Sequence, residues 1–459
     1  MTQANVSSHS LVLDEHRPQD RRVAMATLVG TSIEWYDYFI YANAAALIFG
    51  KQFFSAVPDN MQLILSFATV GISFLFRPLG AAVAGHYGDR VGRKAMLVIT
   101  LLLMGGATAL IGVLPTAQTI GLWAPVLLIV LRIVQGFSAG GEWGGAALMA
   151  VEHAPASKRG KFGAFPQIGV PVGMLIATGF LAMLSVLLTD AQFKTWGWRI
   201  PFLASAVLII IGMWIRLGVT ESPVFKELNE HPDEVKMPLG QVFRFTGKQV
   251  AQAALMFMGN GVAGYMVTGG FLLAYTTTHL GMPKPAILNL VTLASACWIV
   301  TTFLAGSLSD RFTRIRTYRV GYVAQLLWVF PMFLLVQTGQ LVWVAVAMVL
   351  LTVPLGLTYG PQAALFAEMF PASIRYSGAS ISYALGSILG GAFAPMIAQA
   401  LTDSTHTVMS VPVYLFVVTL IALVVTFTVK DRTGQPIDHG AMDIPGAREI
   451  ARLSASAKG

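Results

Sequence analysis

Twelve runs of about 20 mostly apolar residues, parted by short polar turns, leave this chain little choice of fold. They are 22–49, 61–86, 95–114, 122–151, 160–188 and 198–218, then 248–278, 285–308, 317–336, 340–369, 374–401 and 409–430. In hydrocarbon every backbone N–H and C=O must find a partner within its own segment, so runs this long predict membrane-spanning α-helices. With 55% hydrophobic and only 11% charged residues, the chain is not an ordinary soluble protein.

Two polar stretches occur twice, in the same order. GHYGDRVGRK from Gly85 returns as GSLSDRFTRIR from Gly306, so Gly85, Asp89 and Arg90 answer to Gly306, Asp310 and Arg311. EHAPASKR from Glu152 returns as EMFPASIR from Glu368, pairing Glu152 and Arg159 with Glu368 and Arg375. Both echoes are separated by about 220 residues, which indicates an internal duplication. The expected architecture is an all-α membrane protein with two six-helix bundles, 22–218 and 248–430. A segment 1–21 precedes them, a polar linker 219–247 joins them and a tail 431–459 follows.

The net charge of +8 comes from cations clustered in the turns, where they act as topology signals and not as a nucleic-acid surface. Arg90, Arg93, Lys94, Lys158, Arg159, Lys161, Arg311, Arg314, Arg316 and Arg375 all follow the second, fourth, eighth and tenth runs, which predicts that these turns and both termini face the cytoplasm. The expected location is the bacterial inner membrane. The first 20 residues hold no apolar stretch of the signal-peptide kind, and the single cysteine, Cys297, permits neither an intrachain disulfide nor a Cys-based metal site. No cofactor or metal is expected: the eight histidines fall in tails, loops or run ends, and no nucleophile motif or phosphate loop is present.

Five ionisable residues sit deep in apolar runs: Glu34, Asp37, Arg77, Arg132 and Glu142. A charge at mid-helix costs roughly 2.5–3.5 kcal/mol on insertion scales, so each must face a cavity or a partner. Thr31, Glu34, Asp37, Tyr38 and Tyr41 recur at helical spacing on one face. Arg132, Gln135, Glu142 and Trp143 share another, and the two faces can meet at an aqueous path. Asp37 and Arg132 lie at similar depth and read as functional, whereas Arg77 and Glu142 fit a static ion pair equally well. The second half is polar without charge, and Asn260, Tyr265 and Tyr359 stand out as ligand-facing candidates.

These motifs resemble the major facilitator superfamily. Gly85-x-x-x-Asp89-Arg90-x-Gly92-Arg93-Lys94 is similar to its loop signature, and Arg132-x-x-Gln135-Gly136 to a second one, while Thr313 replaces the expected glycine in the later copy and predicts a looser turn there. EWYDYFIY (Glu34 to Tyr41), FRPLG (Phe76 to Gly80), QGFSAGGEWGGAAL (Gln135 to Leu148) and WGWRIPF (Trp196 to Phe202) resemble, more narrowly, the metabolite:proton symporter family, and the run Gly141 to Ala147 its shikimate-carrying branch. The resemblance implies a non-enzymatic transporter that works by alternating access, with a gate built on Gly85, Asp89, Arg90, Arg93, Asp310 and Arg311. It implies that Asp89 caps a neighbouring helix end as a reversible latch. Glu152, Arg159, Glu368, Arg375 and Arg77 take structural or coupling roles.

The mechanism expected from these readings is import of a small carboxylate with a proton by a monomer in the lipid bilayer. Arg132, with Tyr38, Tyr41, Gln135, Trp143, Asn260, Tyr265 and Tyr359, would bind substrate. Asp37, with Glu34 and Glu142, would carry the proton, and arrival of an anion at Arg132 would strip Asp37 of its counter-charge. Uptake of a zwitterionic osmolyte, gripped by Trp35, Tyr38, Tyr41 and Trp143, is the alternative substrate class. A transporter-like sensor is the alternative outside transport, disfavoured by a short tail.

Overall fold

The computed structural model describes residues 25–91, 93–140, 142–152, 154–218, 239–268, 270–371 and 375–435; side chains at 82, 84–97, 215–218, 239–243 and 267–268 are also outside the description. Helix α1 covers 25–44 and continues through a π turn, Ala45–Phe49. There follow α2 (Asp59–Val91), α3 (Arg93–Val113), α4 (Trp123–Ala139), α5 (Glu142–Glu152), α6 (Arg159–Leu187) and α7 (Arg199–Gly218). The second half holds α8 (Leu239–Thr268), α9 (Phe271–Ala274), α10 (Lys284–Phe312), α11 (Arg314–Gln337), α12 (Leu341–Tyr359), α13 (Gln362–Met369), α14 (Arg375–Ser387), α15 (Ala394–Thr405) and α16 (Ser410–Thr426).

All twelve apolar runs are helical where described, but not all are long, apolar helices. Among the described residues eight helices are long and apolar enough to cross a membrane, or nine if the bent pair Asp190–Gly197 and Arg199–Trp214 counts as one span. Val98–Val113 and Ser410–Thr426 are apolar but shorter. Four runs are broken inside: α4 gives way to α5 at Gly140, α8 to α9 at Gly270 (φ 89°), α12 to α13 at Pro361, and α14 to α15 through a π turn, Ile388–Ala392. Pro361 cannot donate an N–H, which explains the break there, whereas Pro166 and Pro171 stay inside an unbroken α6.

Within the first half α4 packs on α2 and α3, and α3 on α7; within the second α8 packs on α14 and α16, and α12 on α10 and α11. The halves meet along α6 with α10 and along α2 with α14 and α15. They also close on one another at the end carrying the motif turns, α5 against α13 and α14, and at the opposite end, where α9 lies against the Ala45–Phe49 turn. Glycine makes the closest contacts possible: a Cβ on Gly80 would lie 1.8 Å from the Phe137 carbonyl oxygen, and one on Gly140 2.1 Å from that of Arg77. The FRPLG and QGF motifs are thus two sides of one helix contact.

Helix α8 is two helical pieces joined by a kink at Thr246 (φ −129°, ψ 20°), so 239–245 stand apart in direction from the piece that follows. The turn at Thr313 is tight, not loose: one residue with φ 76° and ψ 155° joins α10 directly to α11. Such a conformation is essentially reserved for glycine and costs other residues of order 1–3 kcal/mol. Thr313→Gly is therefore expected to raise stability by about 1 kcal/mol once glycine's greater unfolded-state entropy is subtracted, measured as the thermal midpoint in detergent.

Candidate functional site

Arg132 does not reach a carboxylate. Its Nε donates to the Thr69 carbonyl (3.1 Å), Nη1 to Gln135 Oε1 (2.7 Å), and Nη2 to the Val70 carbonyl (3.0 Å) and Ser73 Oγ (2.7 Å), with the guanidinium 3.8 Å from the Tyr41 ring centroid. Four of its five N–H groups are used. The α2 carbonyls reach it because a Cβ-free Gly136 lets α4 come that close. Asp37 instead accepts from Ser205 Oγ on α7 at 2.6 Å and lies against Thr108. Thr108 in turn accepts from Gln135 Nε2 at 2.7 Å. Asp37 and Arg132 are instead linked through side chains, Arg132–Gln135–Thr108–Asp37–Ser205, inside the first bundle. Tyr41, hydrogen-bonded to Thr69 Oγ1 at 2.6 Å, belongs to it too.

The cavity lies between the halves. Trp35, Phe39, Val170, Phe257, Asn260, Tyr265, Trp298, Tyr359 and Tyr383 line it, and it is narrow: a water fits, whereas a metabolite requires the halves to move. Trp35 Nε1, Tyr265 OH and Trp298 Nε1 are buried there without a hydrogen-bond partner among the described residues, which makes them the free donors of the cavity wall. Three sequence candidates, Asn260, Tyr265 and Tyr359, do converge here. Asn260, however, spends its amide on the Leu355 carbonyl (3.2 Å) and Thr358 Oγ1 (2.6 Å). Tyr38 packs edge-on against Tyr265, with ring centroids 5.6 Å apart.

Trp143 stands one layer away, stacked on Tyr383 at 3.9 Å and 5°, with its indole N–H on Gln167 Oε1 at 2.9 Å. That stack joins α5 to α14, across the two halves. Trp298 and Phe257 were not singled out by the sequence. An aromatic residue in an apolar run carries no polar flag, and only the indole N–H of Trp298, which needs a partner when buried, could have marked it.

Arg77 faces Glu34, Nη2 to Oε1 at 3.8 Å, and its guanidinium lies 4.4 Å from the Phe74 ring centroid and 5.6 Å from that of Trp35. Glu142 is buried in the first turn of α5.

At the motif end the second-half copy makes the helix-end contact that the resemblance implies for the first. Asp310 accepts from the Gly160 and Lys161 N–H groups at the start of α6, at 2.8 and 2.9 Å, and from Arg314 Nη1 at 2.7 Å. Arg314 Nη2 reaches Glu368 at 3.4 Å, Arg375 reaches Glu152 at 3.2 Å, and Arg159 donates to the Gln435 carbonyl at 2.6 Å, so the described start of the tail also ties the halves. Arg311, expected in the gate, is exposed and lies over Phe312; the break at Thr313 hands its place to Arg314. The side chains of Gly85, Asp89, Arg90 and Arg93 lie outside the described residues. An anion at a helix N-terminus is favourable by about 0.3–1 kcal/mol, up to about 2 when partly buried. Asp310→Asn is thus expected to shift the equilibrium about tenfold toward the form open at this end, read out by cysteine accessibility there. Unchanged accessibility would leave the latch with no energetic role.

The Major Facilitator Superfamily model matches residues 27–395. The Shikimate transporter of Escherichia coli (strain K12) is 40% identical over 416 residues, covering 90% of this chain and 94% of that protein. The Inner membrane metabolite transport protein YhjE of the same strain is also 40% identical, over 430 residues, 91% of this chain and 97% of the relative. The Proline/betaine transporter of Escherichia coli (strain K12) is 31% identical over 446 residues, with 94% and 88% covered. Among solved structures, the proton:xylose symporter XylE bound to 6-bromo-6-deoxy-D-glucose superposes with a TM-score of 0.72 at 17% identity, covering 95% of this chain and 98% of the other, a likeness of fold alone.

With two bundles closing on a central cavity and a model match over most of its length, the chain belongs to the Major Facilitator Superfamily and is a multi-pass membrane transport protein, not an enzyme. Within the superfamily it belongs to the metabolite:proton symporter family, among the bacterial metabolite transporters.

Proposed function

We propose that this protein imports a small organic acid together with a proton by alternating access, across the bacterial cytoplasmic membrane, with the motif turns and both termini on the cytoplasmic side. The observation that carries this reading is the pairing of a narrow, aromatic cavity between the halves with two acidic residues on one helix beside it, Glu34 and Asp37. Substrate occupies the cavity between Trp35, Tyr265, Trp298 and Tyr359. Asp37, buried among hydroxyl groups and with no Lys or Arg in ion-pair range among the described residues, is the carboxyl that can hold or release a proton without breaking a salt bridge. Arg132 keeps a supporting role, orienting Gln135 and through it Thr108. In this reading Asp89, which answers to Asp310 in the duplication, takes the same latch role.

A second reading, uptake of a zwitterion such as betaine, draws support from the aromatic lining, which suits a quaternary ammonium. The cation Arg77, set over the ring of the lining Trp35, favours an anion over it. Proteoliposomes holding the purified protein decide between them: accumulation of labelled shikimate that depends on an inward proton gradient supports the organic-acid reading. Accumulation of glycine betaine and not of shikimate overturns it.

A further inference from the structure

A second cavity, of about 440 Å³, opens at the Thr313 turn between the start of α11 and the residues that follow α16. It shares no lining residue with the cavity between the halves, and its volume is that of a small-ligand pocket. Two arginines of α11, Arg316 and Arg319, line it. Arg316 is exposed and makes no ion pair or hydrogen bond among the described residues. Arg319, half-buried, donates from Nε to Thr426 Oγ1 (3.3 Å) and from Nη2 to the Thr426 carbonyl (3.0 Å), which leaves Nη1 unused among the described residues. Residues three apart on a helix are neighbours, so the two cations serve one place. The acid of the lining, Asp431, is already engaged, accepting from the Thr433 N–H at 3.0 Å and from Thr433 Oγ1 at 2.7 Å. Two arginines against one aspartate leave the lining one net positive charge, the complement of a phosphodiester.

The surroundings say where that phosphodiester comes from. Helical spacing sets Arg316 at the head of a stripe on α11, Val320, Val323 and Leu327, all of them exposed. The Arg319 guanidinium lies 4.3 Å from the ring centroid of Phe427, the exposed residue that ends α16. Helix α16 packs on α11 and carries the exposed apolar surface on through Val424 and Val417. In a membrane protein such faces meet lipid tails, which are as apolar as the side chains themselves. A basic pocket between helices at the end of an apolar face is the arrangement that holds an anionic lipid head group. A water-soluble phosphate would use the arginines and leave the apolar stripe without a part.

We propose that this cavity binds the phosphodiester of an anionic phospholipid between Arg316 and Arg319, with the acyl chains laid along the α11–α16 face. The site does not depend on which substrate the protein carries.

The test is lipid retention by the purified full-length protein. It is reconstituted in vesicles of equal phosphatidylglycerol and phosphatidylcholine and taken up in mild detergent, and the lipids that stay bound are counted by native mass spectrometry. Phosphatidylglycerol is expected to be retained in preference. Arg316→Gln is expected to lower that preference about fivefold, and R316Q/R319Q more than about tenfold. Arg311→Gln, which removes an exposed arginine outside the lining, should leave it within about twofold. Should R319Q fail to fold for want of the Thr426 bonds, Arg316→Gln decides alone, since Arg316 supports no other described group. Equal retention of the two lipids, full preference in R316Q, or as large a loss in R311Q overturns the proposal. So does displacement of the bound lipid by glycerophosphoglycerol, the same head group without chains, which would assign the cavity to a water-soluble phosphate ester.

Discussion

Asp37→Asn, reconstituted in proteoliposomes, is expected to lose gradient-driven accumulation altogether while substrate exchange between the two sides stays within about twofold to threefold of normal. The substitution is close to isosteric, and the side-chain oxygen that accepts from Ser205 Oγ at 2.6 Å survives in the amide, so the bundle has no reason to unfold. What disappears is the ability to bind and release a proton. One unit of pH difference is worth about 1.4 kcal/mol per proton, enough for an electroneutral symporter to concentrate its substrate about tenfold. The variant should instead stop at equal concentrations on both sides. Exchange tests the other half of the cycle, because it requires the loaded carrier to rock but never to return empty. If Asp37→Asn still accumulates substrate, the proton travels by another carboxyl and the relay through Thr108 has no part in coupling. If exchange is lost as well, Asp37 is needed for binding or for movement, and its role as a proton carrier alone is wrong.

How far the sequence foretold this site depends on which question is asked of each residue. Helical periodicity places residues on faces, and it put Glu34, Asp37 and Tyr38 on one side of α1, where they meet different neighbours: Arg77, Ser205 and Tyr265. A face does not name its neighbour. Asp37 and Arg132 stand at matching depth on two polar faces, yet Arg132 turns toward α2, because Gly80, Gly136 and Gly140 bring that helix's carbonyls within reach. Glycine spacing was visible in the sequence as a packing signal; which helix would be drawn in, and that its backbone would satisfy an arginine, was not.

The latch shows the opposite case. Gly-x-x-x-Asp-Arg was read as a gate in both copies, and Asp310 does cap α6, but the cation beside it is Arg314 instead of Arg311, because a single residue at positive φ reverses the chain between them. The aromatic wall was the least legible part. Phe257 and Trp298 look like any other apolar residue of a membrane helix until the second half is laid against the first.

The glycine contact also sets up the largest stability effect in the molecule. Gly136→Ala is expected to give no folded protein. The added Cβ would lie 1.9 Å from the Ser73 carbonyl oxygen, 2.6 Å from its carbon and 2.7 Å from the Ser73 Cα, all backbone atoms of α2 that cannot rotate aside. Relief requires α2 to move off α4, and overpacking of that kind usually costs 1–3 kcal/mol, roughly, before anything else is lost. Here more is lost, since Arg132 draws three of its four acceptors from Thr69, Val70 and Ser73 on the displaced stretch. Each buried donor left unmatched costs about 1–3 kcal/mol, more on a charged group. Against a net stability of roughly 5–15 kcal/mol the sum is close to the whole.

Gly145→Ala, whose nearest neighbour would be Tyr376 Cε2 at 3.7 Å, and Gly106→Ala, with nothing within 4 Å, serve as controls and should both be tolerated. The comparison is made on detergent extracts, by size-exclusion profile and thermal midpoint. A monodisperse Gly136→Ala protein with an unshifted midpoint would mean that α2 and α4 do not approach so closely. Arg132 would then have donors to spare, and its supporting role inside the first bundle would lose its geometric basis.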